Sequence, residues 1–206
     1  MTIGKFFPGK LLPSQTVAGC IDIYENAWPN PEETIRLIEE EVLNPESGIN
    51  WSKAGTIGQG EDQNARTNLN MGLTYFASNG NAVAQNIHNQ MYVLLIASLE
   101  SYRERYGIDE QLWHEGYNIL KYRGGDEYKA HYDGGTSTRR SVSAIVYLNN
   151  DYEGGEVEFT NFGIKIKPEP GMLLLFPSNY AYTHIAHPVK SKTKYAIVTW
   201  THDQPM

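Results

Sequence analysis

The 206-residue chain is 40% hydrophobic and 12% aromatic, a globular composition with room for a substantial core and not that of a disordered segment. Its formal net charge of -7 argues against nucleic acid as a partner, because phosphate binding draws on clustered Lys and Arg. The single cysteine, Cys20, excludes an intramolecular disulfide, a cysteine zinc cage and a redox pair.

The opening stretch "MTIGKFFPGKLLPSQ" is cut by Pro8, Gly9, Lys10 and Pro13 and offers no signal-peptide apolar core. No run approaches the roughly 18 apolar residues of a membrane helix. The expectation is therefore a cytoplasmic protein with no membrane contact. "NPEETIRLIEEEVLNP" predicts a first helix, with Asn30 as N-cap, Pro31 at the first helical position and Ile35, Ile38 and Val42 on one face. Asn44-Pro45 ends it. "NAVAQNIHNQMYVLLIASLESYRERYG" predicts a second helix, with Ile87, Met91, Leu94, Leu95, Tyr102 and Tyr106 at helical spacing and Gly107 as its C-cap.

From about residue 117 the pattern changes to short apolar runs separated by Gly, Asn, Asp and Pro, among them "YNILKYR", "SVSAIVYLN", "GMLLLFP" and "KYAIVTWTH". Such spacing predicts a compact antiparallel β structure. The expected fold class is α+β, mainly β: one domain over 1–206, with a double-stranded β-helix (jelly-roll) core over about 117–203 and supporting helices over about 1–116.

"YKAHYDGG" sets His131 and Asp133 two apart, so an extended strand presents both on one face. An imidazole and a carboxylate are two-thirds of a facial metal site. Of the six histidines, His88 lies in the second helix and His114 precedes the β region. Of the others beyond His131, namely His184, His187 and His202, His184 sits in "SNYAYTHIAHPV" directly after the apolar run "GMLLLFP", with His187 as its competitor for third ligand. Two histidines and one carboxylate leave three positions open on Fe(II). Ten residues after His184 stands Lys194, on a strand whose alternate residues face one interior. Burying an unpaired ammonium is costly, so an inward Lys194 implies an anion beside it.

The blocks "LKYRGGDEYKAHYD", "RRSVSAIVYLNNDYEGGEVEF", "GMLLLFPSNYAYTHIAHPV" and "KYAIVTWTH", in this order and spacing, resemble the iron- and 2-oxoglutarate-dependent dioxygenases and, within them, the prolyl 4-hydroxylases. The resemblance implies Fe(II) held by His131, Asp133 and His184; His187 falls where the family has no ligand. It implies 2-oxoglutarate and O2 as co-substrates, ascorbate as an accessory, and the distal carboxylate held by Lys194, Tyr122 and Tyr147. Related halogenases lose the carboxylate ligand, so Asp133 favours hydroxylation. Tyr128, Arg140, Trp200 and His202 match the positions these enzymes use around the target proline, implying a proline-containing peptide or protein substrate. "RTNLNMGLTYF", Arg66 to Phe76, resembles their mobile substrate-covering segment. The N-terminal half matches only faintly, and no peptide-binding domain is evident, which fits a compact bacterial or viral type of enzyme. Three other readings stay open: a hydroxylase of a free amino acid or other small molecule, a non-catalytic cupin-like metal-binding module, and a nucleic-acid demethylase. The last is disfavoured because Trp200 stands where such enzymes carry a second arginine. Oligomeric state is not legible.

Overall fold

In the computed structural model, which describes residues 9–55, 64–135 and 138–203, both predicted helices form. Residues 1–8 of the opening stretch lie outside the described residues. Helix α1 (Pro31–Leu43) buries Ile38, with Ile35 and Val42 packed half-buried against the core. Asn30 occupies the cap position, yet its side chain makes no cap bond. Thr34 ties the helix start to the preceding segment: its hydroxyl donates to the Asn30 carbonyl (3.2 Å) and accepts from Trp28 Nε1 (2.9 Å). A short helix α2 (Leu73–Ser78) precedes α3 (Ala82–Tyr106). Asn81 caps α3 by accepting from the Ala84 N–H at 2.8 Å, and Gly107 closes it in the left-handed conformation that glycine adopts without strain.

The N-terminal half is not helical support alone. Strands β1 (Gln15–Val17), β2 (Ile21–Tyr24), β3 (Ser52–Lys53), β4 (Leu69–Met71) and β5 (Trp113–His114) join the sheet of the second half. None exceeds four residues, and all four of β2 are buried, so no alternation marked them in the sequence.

The remaining strands are β6 (Asn118–Tyr122), β7 (Tyr128–His131), β8 (Arg140–Tyr147), β9 (Glu153–Gly154), β10 (Val157–Phe159), β11 (Ile164–Ile166), β12 (Leu173–Pro177), β13 (His184–Ala186), β14 (Val189–Ser191) and β15 (Lys194–His202). A major antiparallel sheet runs β1-β2-β12-β8-β15-β6-β4-β3, with β5 on β15; a minor sheet runs β11-β10-β13-β7. This is the expected jelly roll. One face of the major sheet packs on the helices, through Leu173, Leu175, Ile119, Ile197, Met91 and Leu95. The other meets the minor sheet through Leu174, Phe176, Tyr147, Val157 and Phe159. β12, apolar at consecutive positions, is buried on both sides. Among the described residues no helix is long and apolar enough to cross a membrane.

Ile197 sits fully buried in the middle of β15 on the helix side. Ile197→Ala is expected to cost about 2–5 kcal/mol, read in urea denaturation as a lower midpoint with an unchanged slope.

Candidate active site

Pairing of β7 with β13 sets His131 directly opposite His184, and the turn after β7 brings Asp133 back to both. Ligand atoms of the three residues all lie within 4.8 Å of one another. His131 Nε2 is 3.7 Å from Asp133 Oδ1, and His184 Nε2 is 3.8 Å from Asp133 Oδ2. Each imidazole is oriented by a carbonyl: Nδ1 of His131 contacts the Lys129 carbonyl at 2.7 Å, and Nδ1 of His184 the Tyr182 carbonyl at 3.0 Å. A carbonyl only accepts, so both Nδ1 atoms carry a proton and both Nε2 atoms are turned toward Asp133. Burial and the neighbouring His184 push the His131 pKa well below its ordinary value, keeping the ring neutral.

Asp133 is fixed from behind. Ser143 Oγ donates to its Oδ2 at 2.7 Å, and Ser178 Oγ lies 2.8 Å from Ser143 Oγ. Burial works against its charge, but His184 and His131, then hydrogen bonds from Ser143 and Trp200, outweigh that and hold the carboxyl below its usual range. The glycine that follows is required by space. A Cβ on Gly134 would stand 2.7 Å from the Arg140 carbonyl oxygen and 3.0 Å from that of Ser178, and neither backbone atom can swing aside. His187 points elsewhere, with Nε2 2.7 Å from Glu158 Oε2.

An enclosed space of about 50 Å³ runs inward from these three residues between the sheets, walled by Leu120, Ile145, Val157, Ala196 and Val198. Lys194 closes its far end. The side chain is buried, its Nζ donates to the Gly155 carbonyl at 2.6 Å, and it lies 5.4 Å and 5.0 Å from the ring centres of Tyr122 and Tyr147. No carboxylate is paired with it among the contacts of the described residues. Burial pulls the Lys194 pKa down to about 7, with Glu156 pulling the other way. Burial also raises both phenols, Tyr122 to about 12, so both hydroxyls keep their proton.

At the mouth, the Tyr128 ring is stacked on His131, with centroids 3.5 Å apart. Arg140 lies flat against Trp200 at 3.7 Å and is held by Glu115, through Nε and Nη2 at 2.6 Å each. His202 Nε2 lies 2.6 Å from the same carboxylate. Two residues were missed in the sequence. Glu115 carries no signal there, because its partners are 25 and 87 positions away. Arg66 had one, in its own segment: it lines the cavity with its guanidinium 4.7 Å from the Tyr128 ring. The rest of that segment is scaffold, since Leu69–Met71 pairs with β6 and Met71 and Leu73 are buried.

The family model described as the 2OG-Fe(II) oxygenase superfamily matches residues 117–202. These residues form a 2OG-Fe(II) oxygenase domain. Its two-histidine, one-carboxylate donor set fits Fe(II), with three positions left for other ligands. The chain is 33% identical over 119 residues to a probable prolyl 4-hydroxylase of Arabidopsis thaliana, covering 44% of this chain and 41% of that one. It is 35% identical over 68 residues to a human prolyl 3-hydroxylase, covering 31% of this chain and 10% of the relative. The chain thus spans well under half the length of the curated relatives it matches. Among solved structures, a prolyl hydroxylase from Trichoplax adhaerens, in complex with a hypoxia inducible factor peptide fragment, aligns at a TM-score of 0.72 and 20% identity over 90% of this chain and 84% of that one. A prolyl-4-hydroxylase of Pseudomonas putida aligns at 0.61 and 17% over 90% and 94%. At these identities the structural likeness establishes the fold.

His184→Ala in the oxygenase domain is expected to abolish stoichiometric binding of a divalent ion, whereas His187→Ala binds as the wild type does. Titration with Co(II) followed by its visible absorption, with circular dichroism as the folding control, checks both.

Proposed function

We propose that the protein is a peptidyl-prolyl 4-hydroxylase that uses Fe(II), 2-oxoglutarate and O2, with ascorbate as an accessory reductant. The observation that carries this reading is one cavity with three kinds of wall: a metal-ligand triad at its middle, a buried lysine at its inner end, and an aromatic and arginine-lined mouth. His131, Asp133 and His184 would hold the metal. Bound Fe(II), with 2-oxoglutarate and O2, supplies the oxidising power to hydroxylate an unactivated C–H bond.

The chain's own residues do the rest. The Lys194 ammonium and the Tyr122 and Tyr147 hydroxyls offer donors to a distal carboxylate at a depth that water does not screen. Apolar walls from Ile145, Val157 and Val198 exclude competing water and fix the co-substrate's long axis. Tyr128 and Trp200 supply flat surfaces for a pyrrolidine ring, and Arg140 and His202 mark the path of a peptide past the metal. A proline in an extended or polyproline II segment suits such a mouth, because its backbone makes no internal hydrogen bonds and its carbonyls are free to be read. The relatives include both 4- and 3-hydroxylases; attack at C4 is the reading favoured by the positional match of Tyr128, Arg140, Trp200 and His202 together.

Lys194→Ala is expected to raise the 2-oxoglutarate requirement by more than about tenfold, as loss of a charged partner to a buried carboxylate does. A pH effect has a definite sign. With a pKa of about 7 in the protein alone, Lys194 loses its proton as pH rises, while a bound carboxylate stabilises the charged form. Binding of 2-oxoglutarate near pH 8 should therefore take up a proton, and affinity should fall as pH increases above neutrality. Calorimetry in two buffers of different ionisation heat measures the uptake; an identical heat in both would place the carboxylate elsewhere.

For the substrate, Arg140→Ala and Trp200→Ala should impair peptide hydroxylation at least about tenfold more than slow uncoupled 2-oxoglutarate turnover. Amino-acid analysis of proline-rich peptides incubated with the iron-loaded protein should show 4-hydroxyproline. Strong uncoupled turnover with no hydroxyproline across a broad peptide library would remove the prolyl assignment.

A further inference from the structure

We infer that Glu115 is a specificity-determining residue that tunes the mouth of the site to amide carbonyls and against free carboxylates. The inference rests on the peptidyl-proline reading and narrows it to proline whose carboxyl group is in amide linkage.

Arg140 is the fixed cation over the ring of Trp200, and it is that ring which lines the cavity. An unencumbered guanidinium presents a two-pronged edge that matches a carboxylate best. Here that edge is already occupied: Nε donates to Glu115 Oε1 and Nη2 to Glu115 Oε2, both at 2.6 Å. The flat face is occupied too, by the Trp200 ring at 3.7 Å. The donors that remain are both N–H groups of Nη1 and the second of Nη2, an end-on edge that faces away from Glu115. Both partners are largely shielded, with side-chain exposures of 9% for Arg140 and 19% for Glu115, so the pair is only weakly screened by solvent. Glu115 is itself tethered, because its backbone N–H donates to the Trp200 carbonyl at 3.0 Å; His202 Nε2 lies 2.6 Å from its Oε1 without making a hydrogen bond.

A peptide carbonyl is neutral and needs only one or two N–H donors, which the Nη1 side offers. A carboxylate can bind the same end-on edge, but it brings a second negative charge next to Glu115, which a neutral carbonyl does not. Glu115 thus turns a general anion anchor into a carbonyl reader, and a free amino acid meets like charge where a peptide meets a donor.

The test uses two peptides identical in sequence and ending at the target proline, one as the C-terminal amide and one as the free acid. Wild-type protein should favour the amide by roughly tenfold or more in kcat/KM, which tests half the inference without any variant. Glu115→Gln keeps the size, removes the charge, and should bring the amide-to-acid ratio to within about threefold of unity. A purely structural role for Glu115 would lower both rates and leave the ratio where it was. The same pair is measured by equilibrium binding, using tryptophan fluorescence of anaerobic protein loaded with Mn(II) and 2-oxoglutarate. If neither peptide is hydroxylated but the binding ratio still collapses in Glu115→Gln, the prolyl reading falls and the carboxylate filter stands. Equal use of amide and acid by the wild type, or a ratio unchanged by Glu115→Gln with hydroxylation intact, overturns the filter. Failure of both peptides to bind or react overturns both.

Discussion

Along β15, alternate side chains meet two different environments, and the rest of the molecule is arranged around that division. Tyr195 and Ile197 enter the core beneath the helices, while Lys194, Ala196, Val198 and Trp200 line the cavity between the sheets. The strand is the most extensively paired in the fold, with β6 on one side and β8 on the other for most of its length. An ammonium at its buried end is tolerable only because the strand cannot move to release it and the Gly155 carbonyl accepts one of its protons. The remaining cost appears as a pKa near neutrality. A buried cation held in that condition suits the anion-holding role proposed for it.

The metal-ligand end obeys a second constraint, that neutral imidazoles and a charged carboxylate must sit together without water. Each is made tolerable by a separate device: a carbonyl behind each Nδ1, and a pair of serine hydroxyls behind Asp133. None of these supporting groups carries a charge of its own.

At the mouth, two irregularities in strand pairing do what regular strands cannot. Tyr128 and His131 are three apart and Arg140 and Tyr147 seven apart, and odd separations point to opposite faces of a regular strand. One extra residue in β7, between the Tyr128 and His131 pairs with β13, puts both rings on the same side and in contact. Another in β8, at Ser141, lets Arg140 pair with His202 and reach Trp200. Such bulges re-aim side chains next to functional sites.

Much of this was readable in the chain itself. His131 and Asp133 two apart in a strand-like run, an inward-facing Lys194 in another, and the long helix closed by Gly107 all follow from local period and capping chemistry, which act over a few residues. The choice of His184 over His187 did not follow from local pattern; the resemblance supplied it, and the strand register now shows His187 turned to Glu158. β2, β4 and β5 were illegible because strands of two to four residues are stabilised by partners far along the chain and carry no period of their own. Glu115 and Arg66 were assigned no roles for the same reason. Their meaning lies in contacts with Arg140, His202 and Tyr128, and ion pairs and ring contacts between distant segments exist only after the sheets have brought those segments together.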